Sequence, residues 1–241
     1  MNLTYNEGGN TLIGKRKGEP FALIGKDSYA VSKFLMEADL GHEMTYEEIL
    51  IAFALDYGVK KENIHFIEQP GDMHLDMSMT IVGENTILLN DAQEAQRMFR
   101  DEQQMWLSAT SGYESAEILA SYVSSEILES KARKIMEDIT EKELQGLGFN
   151  VVRVPGRFNY SITAPAMNFF NMVTAQTPSG ENIAVLLGCV ANYASIFEQT
   201  LRKFSERKID KVYFLNLEAS QQCLGLDGGI SCRTKSIPLV R

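Results

Sequence analysis

The sequence is poor in the residues that staple small folds or hold metals. It has three cysteines, Cys189, Cys223 and Cys232, and three histidines, His42, His65 and His74. An odd thiol count with no zinc-ligand spacing argues against a disulfide framework and against a structural metal, and makes a reducing, cytoplasmic setting the default. No apolar run approaches the ~20 residues that span a bilayer, and the polar opening Met1 to Asn10 lacks a signal-peptide core. Positive charge is also short: 23 Lys and Arg face 32 Asp and Glu, for a net charge of -9. That leaves no basic footprint for nucleic acid or an anionic membrane, and a cationic substrate or partner suits the field better. No Pro/Ser-rich linker or low-complexity stretch marks a boundary, so residues 1–241 read as one domain.

What is present is a recurring α/β pattern. Residues 5 to 13 predict a turn feeding a short strand, followed by a basic loop at 14 to 18 and a buried strand at Phe21 to Ile24. Asp27 or Ser28 can cap the helix that follows. Thr45 and Glu48 form a capping-box pair ahead of the stripe Ile49, Leu50, Phe53 and Ala54, which ends near Gly58. A strand at Ile64 to Ile67 closes the unit. The plan then repeats. Asp76 to Val82 and Thr86 to Leu89 flank the hairpin signal Gly83-Glu84-Asn85, a helical region runs from Ala92 to Leu147 with a break at Ser108 to Gly112, and Val151 to Val154 is a strand. A third pass has strands at Phe169 to Ala175 and Ile183 to Leu187, a helix capped by Ser195 and Glu198, and a strand at Lys211 to Leu215. The fold class is therefore α/β, built from repeated strand, strand, helix, strand modules, with the C-terminal Gly-Gly-Ile-Ser-Cys segment starting one more. An ordinary α/β sheet with an accidental threefold pattern is the alternative.

Three stretches can carry chemistry. Asp227-Gly228-Gly229-Ile230-Ser231-Cys232-Arg233-Thr234 presents a thiol after a flexible turn, beside a guanidinium that favours the thiolate. Gly71 to Ser78 contains His74 and Asp76, which in a strand point the same way at roughly 7 Å spacing. Such a carboxylate can hold a cationic head while the imidazole moves protons. Glu7-Gly8-Gly9-Asn10 is a small turn with a single acid. Each has an ordinary structural reading too: a packed thiol, a solvated histidine, a surface turn.

The order of Glu-Gly-Gly, His-x-Asp and a terminal Cys resembles the guanidino-group modifying enzymes, the superfamily of arginine deiminases, agmatine deiminases, protein-arginine deiminases and dimethylarginine hydrolases. The run Met167-Asn168-Phe169-Phe170-Asn171-Met172 is similar to an Asn-Met stretch of the protein-arginine deiminases. The resemblance implies a pentein fold, an α/β propeller of ββαβ modules, incomplete in this chain. It implies that Cys232 attacks a guanidinium carbon, that His74 protonates the leaving amine and then activates water, and that Glu7 orients His74. Asp76 would clamp guanidinium nitrogens, with Asn10, Asn171 and Arg233 also lining the substrate site. That chemistry needs no metal and no organic cofactor. Its partners would be a small-molecule or peptidyl guanidinium substrate, and a second copy or another chain that completes the propeller. The sequence departs from the family in having Ser231 where a histidine usually precedes the nucleophile. It also has no Arg-Asp carboxylate upstream of Glu7, since its one such pair is Arg100-Asp101. An amidinotransferase, or a binding protein that has lost catalysis, remains an alternative.

Overall fold

The computed structural model describes residues 3–5, 8–71, 74–100, 115–157, 167–189 and 191–224. Its first hairpin pairs β1 (Thr11–Arg16) with β2 (Glu19–Gly25) through Lys17 and Gly18, both at positive φ, the backbone geometry that a tight two-residue hairpin turn demands. Gly14 to Arg16, expected in a loop, thus belong to the strand. Helices α1 (Lys26–Leu40) and α2 (Tyr46–Tyr57) lead to β3 (Ile64–Ile67), which pairs with β2 in parallel. The capping box is formed as read: Thr45 accepts from the Glu48 amide, and Glu48 accepts from that of Thr45. At α1 neither Asp27 nor Ser28 is the cap. The helix starts at Lys26, and the Asp27 amide donates to Gln69 Oε1, 3.0 Å away.

The same order occurs twice more. In the second module β4 (Met79–Ile81) and β5 (Thr86–Asp91) form a hairpin; helix α3 (92–100) and α4 (Ser115–Gly146) follow, and β6 (Asn150–Pro155) joins β5 in parallel. In the third, β7 (Val173–Gln176) and β8 (Asn182–Leu186) precede α5 (Ala191–Phe204) and β9 (Lys211–Phe214). Helix α6 (Leu217–Leu224), not anticipated from the sequence, comes after. The protein is thus mixed α/β. Among the described residues it has three separate three-stranded sheets, each with its central strand antiparallel to the one before and parallel to the one after the helix.

Two further expectations are corrected. Strands β4 and β7 begin at Met79 and Val173, not at Asp76 and Phe169. Before Met79 the chain forms a 3-10 turn, η3 (Leu75–Met77), and before Val173 the Asn168 carboxamide accepts the amides of Phe170 and Asn171, which diverts the backbone from a ladder. Ser195 lies inside α5, where its hydroxyl accepts from Gln199, and is not a cap. The segment expected to open a fourth unit lies outside the described residues.

The cores join the modules. Phe21 and Leu23 of the first sheet pack with Met79, Ile87 and Leu89 of the second, and Leu144 of α4 closes that layer. Leu88 and Val154, on the opposite face of the second sheet, pack with Ala184, Leu186, Phe197 and Leu201 of the third module. Phe53, Ile49 and Leu50 of α2 cover the outer face of the first sheet at Ala22 and Ile24.

Candidate functional site

Each module is entered through a short irregular segment, and these segments meet. The first is the 3-10 turn η1 (Gly8–Asn10), the second carries His74 and η3, and the third is 168–172. Gly9 is the point of closest approach. A methyl group in place of its hydrogen would lie 2.6 Å from His74 Nδ1 and 2.8 Å from Asp76 Oδ1, so only a glycine leaves room for both side chains.

His74 is extended and Asp76 sits in the first turn of η3; both are half-buried. The strand that the His-x-Asp spacing suggested is not formed there, yet both side chains face Gly9. Asn171, buried in the third module, donates through Nδ2 to Asp76 Oδ2 at 2.7 Å. A carboxylate held by an amide in this way keeps its other oxygen's orientation fixed. Asn168, 1% exposed, braces the arrangement. Its Nδ2 donates 2.9 Å to the Met77 carbonyl while its Oδ1 holds the Phe170 and Asn171 amides.

Of the residues singled out in the sequence, His74, Asp76 and Asn171 are therefore brought together. Asn10 is buried with its Nδ2 donating to Ser28 Oγ at 2.8 Å, and its Oδ1 lies against Gly25, at the junction of β2 and α1. Cys232, Glu7 and Arg233 lie outside the described residues. Asn168 was not chosen from the sequence. Its signal was positional: His74 and Asn168 both stand five residues ahead of their module's opening strand, at Met79 and Val173.

A set of partly buried ion pairs flanks the segment that carries His74. Gly71, on the approach to His74, abuts Arg133 of α4, which pairs with Glu129 at 3.1 Å; Arg157, following β6, pairs with Glu126 at 2.7 Å. The cavity between these pairs measures about 30 Å³, room for a single water and not for a substrate. Glu137 of α4 is fully buried and accepts from Asn90 Nδ2, the Ala92 amide and Arg153. Burial pushes its carboxyl up to about 7, against the downward pull of Asn90, Arg153 and the Ala92 amide. A wider groove, about 490 Å³, opens at the β1–β2 turn, at the far end of the first sheet from Gly9. It is lined by Arg16, Phe21, His65 and Phe149, and burial, with Arg16 nearby, lowers the pKa of His65.

No protein-family model matches the chain, and no curated protein matches it. The chemistry therefore rests on the site itself. An imidazole and a carboxylate oriented by a buried carboxamide can hold a planar cation and move protons beside it.

Proposed function

We propose that the protein is a cysteine-dependent hydrolase of guanidinium groups, its modules forming part of an α/β propeller and its site lying where the module-opening segments converge. The observation that carries this reading is the meeting of Gly9, His74, Asp76 and Asn171 from three modules. Asp76 accepts hydrogen bonds from two guanidinium nitrogens and is kept in register by Asn171. Cys232 attacks the guanidinium carbon as a thiolate, forming an S–C bond. His74, oriented by Glu7, gives its proton to the departing nitrogen as the C–N bond breaks and ammonia leaves. Water, deprotonated by His74, then adds to the thiouronium carbon; the S–C bond breaks, the thiolate returns, and the ureido product departs. No metal or organic cofactor takes part. Arg233 would favour the thiolate, and Asn10 supports the turn that carries Gly9.

The test is covalent labelling of the intact chain with 2-chloroacetamidine against chloroacetamide, combined with an assay of ureido product from arginine, agmatine and an arginine-containing protein. The expected result is faster amidine labelling at Cys232, abolished by Asp76→Asn, and product from one of the three substrates. Equal slow labelling by both reagents, with no product, would overturn the proposal in favour of a binding role.

A further inference from the structure

Helix α1 buries serines where a helix lying on a sheet ordinarily buries only an apolar stripe. Ser28 and Ser32 are both buried, one turn apart on a single line of the helix. Tyr29 and Met36, beside that line, pack on the core of the first module. Both serine hydroxyls serve the opening of the chain. Ser32 Oγ donates to the Tyr5 carbonyl and accepts from the Tyr5 amide, each at 3.0 Å, and Ser28 Oγ accepts from Asn10 Nδ2 at 2.8 Å.

Helix α2 supplies a second grip. Asp56, half-buried in its last turn, accepts from the Leu3 amide at 2.9 Å, the Thr4 amide at 2.7 Å and the Thr4 hydroxyl at 2.6 Å. Donors converging on one carboxylate favour its ionised form and make the bonds charge-assisted. Residues 3–5 lie outside every described strand, so these bonds to α1 and α2 take the place of a ladder. The turn they lead to is poorly able to hold itself. Gly8 and Gly9 have no side chains, and a methyl group on Gly8 would meet nothing within 4 Å among the described residues. Gly9 nevertheless has to sit in one place, beside His74 and Asp76. Downstream it is fixed by Asn10 on Ser28 and by the start of β1 at Thr11; upstream the hold comes from Asp56 and Ser32.

We infer that residues 3–5 and 8–10 are the two held ends of a strap laid across α1 and α2, and that Asp56 is a positioning residue of the site: its grip on Leu3 and Thr4 sets Gly9 against His74 and Asp76. Ser32 is the second upstream hold. The inward serines of α1 then have a reason, since the helix is a rail for the strap as well as a cover for the sheet. The effect of Asp56 on reactivity rests on reading the site as a guanidinium hydrolase; its effect on the surroundings of His74 does not.

The experiment compares the whole wild-type chain with Asp56→Ala, Asp56→Asn and Ser32→Ala. It reads amide exchange at Thr4 and Tyr5, the NMR signal of the His74 imidazole, assigned by its loss in His74→Asn, and amidine labelling of Cys232. In Asp56→Ala the Thr4 amide is expected to exchange at least about tenfold faster, as for loss of a charge-assisted hydrogen bond. The His74 signal should move while that of His65, in β3, stays, and labelling should slow about tenfold or more. Asp56→Asn keeps one acceptor oxygen and should fall between. Ser32→Ala repeats the effect from the other helix, and is the variant to read if Asp56→Ala melts early. Three results would overturn the inference: Thr4 and Tyr5 amides that exchange as in wild type, released amides beside an unmoved His74 signal, or His65 and His74 signals that move together, which is general loosening. Wild-type labelling no faster with the amidine than with the amide is a separate failure. It would sink the hydrolase reading, and the His74 signal would still decide the strap.

Discussion

Gly9 is the narrowest point of the site, and its lack of a side chain is what lets His74 and Asp76 approach the same place. Gly9→Ala forces a methyl to within 2.6 Å of the His74 ring, so the ring or η3 has to move. A displacement of that size is expected to slow amidine labelling of Cys232 on the order of 100-fold, with a melting temperature close to wild type; unchanged labelling would remove Gly9 and its neighbours from the site. Asn171 gives a subtler test. Asn171→Ala frees Asp76 Oδ2 from its 2.7 Å donor, and Asn171→Asp sets a like charge in its place. The expected order of amidine labelling rates is wild type, then alanine, then aspartate, because the aspartate pair shares protons and no longer offers an oriented anion. A rate for the aspartate variant equal to wild type would show that Asp76 does not receive the cation. His74 and Asp76 were legible in the sequence as one of three histidines with a carboxylate two residues on. Their geometry was not, because the strand inferred from that spacing is a 3-10 turn, and the alignment of the two side chains depends on Gly9, which is distant in sequence. Asn168 was illegible for a similar reason: a carboxamide that turns its own backbone looks like any loop asparagine until the module boundaries are known.

Among the elements, α4 carries the most charge chemistry, and Glu137 is its most constrained group. The folded state holds Glu137 up to about 7, whereas an unfolded glutamate ionises near 4.5. Between these values the folded chain binds more protons than the unfolded one, so this group's contribution falls as pH rises from 4.5 to about 7 and is level above. The full swing amounts to about 3 kcal/mol. His65 acts in the opposite sense, since its folded pKa is depressed below 6.5 and its contribution is lost as pH falls. Comparing wild type with Glu137→Gln isolates the glutamate. The stability difference measured by denaturant titration should shift steadily in the variant's favour from pH 5 to about 7 and then stay constant, on top of a pH-independent cost for disturbing Asn90 and Arg153. Parallel profiles would show that Glu137 is ionised throughout, held by its donors. The capping box on α2 offers a simpler check: Thr45→Ala should cost about 0.5–2 kcal/mol, read as a lower denaturation midpoint at unchanged slope. That box was fully legible, because both partners lie within one turn. The start of α1 was not, because the acceptor of its Asp27 amide is Gln69, beyond α2 and β3.

At the scale of the whole molecule, the sequence pattern showed three modules and left open how they join. Strand and helix periodicity is local, whereas the choice of which face meets which neighbour is written in residues far apart, such as Leu23 with Ile87 and Leu88 with Ala184. Those shared layers imply that the second and third modules do not unfold independently. Phe197 of α5 is fully buried, stacked on Phe169 at 4.7 Å and edge-on to Phe170 at 5.9 Å, in the same cluster as Leu88 of β5. Phe197→Ala should therefore cost about 3–5 kcal/mol, as for other buried phenylalanine truncations. The informative readout is where that loss appears. If the layer is one cooperative unit, native-state hydrogen exchange of the β5 amides at Leu88 and Leu89 should quicken by nearly the same factor as that of the β8 amides at Ala184 and Leu186. The β2 amides at Ala22 and Ile24 should change least, because the helices of the first module cover them without using Phe197. A loss confined to β8 would mean that the third module opens alone, and the continuous stacking of the sheets would then be a feature of their geometry without being a feature of their energetics.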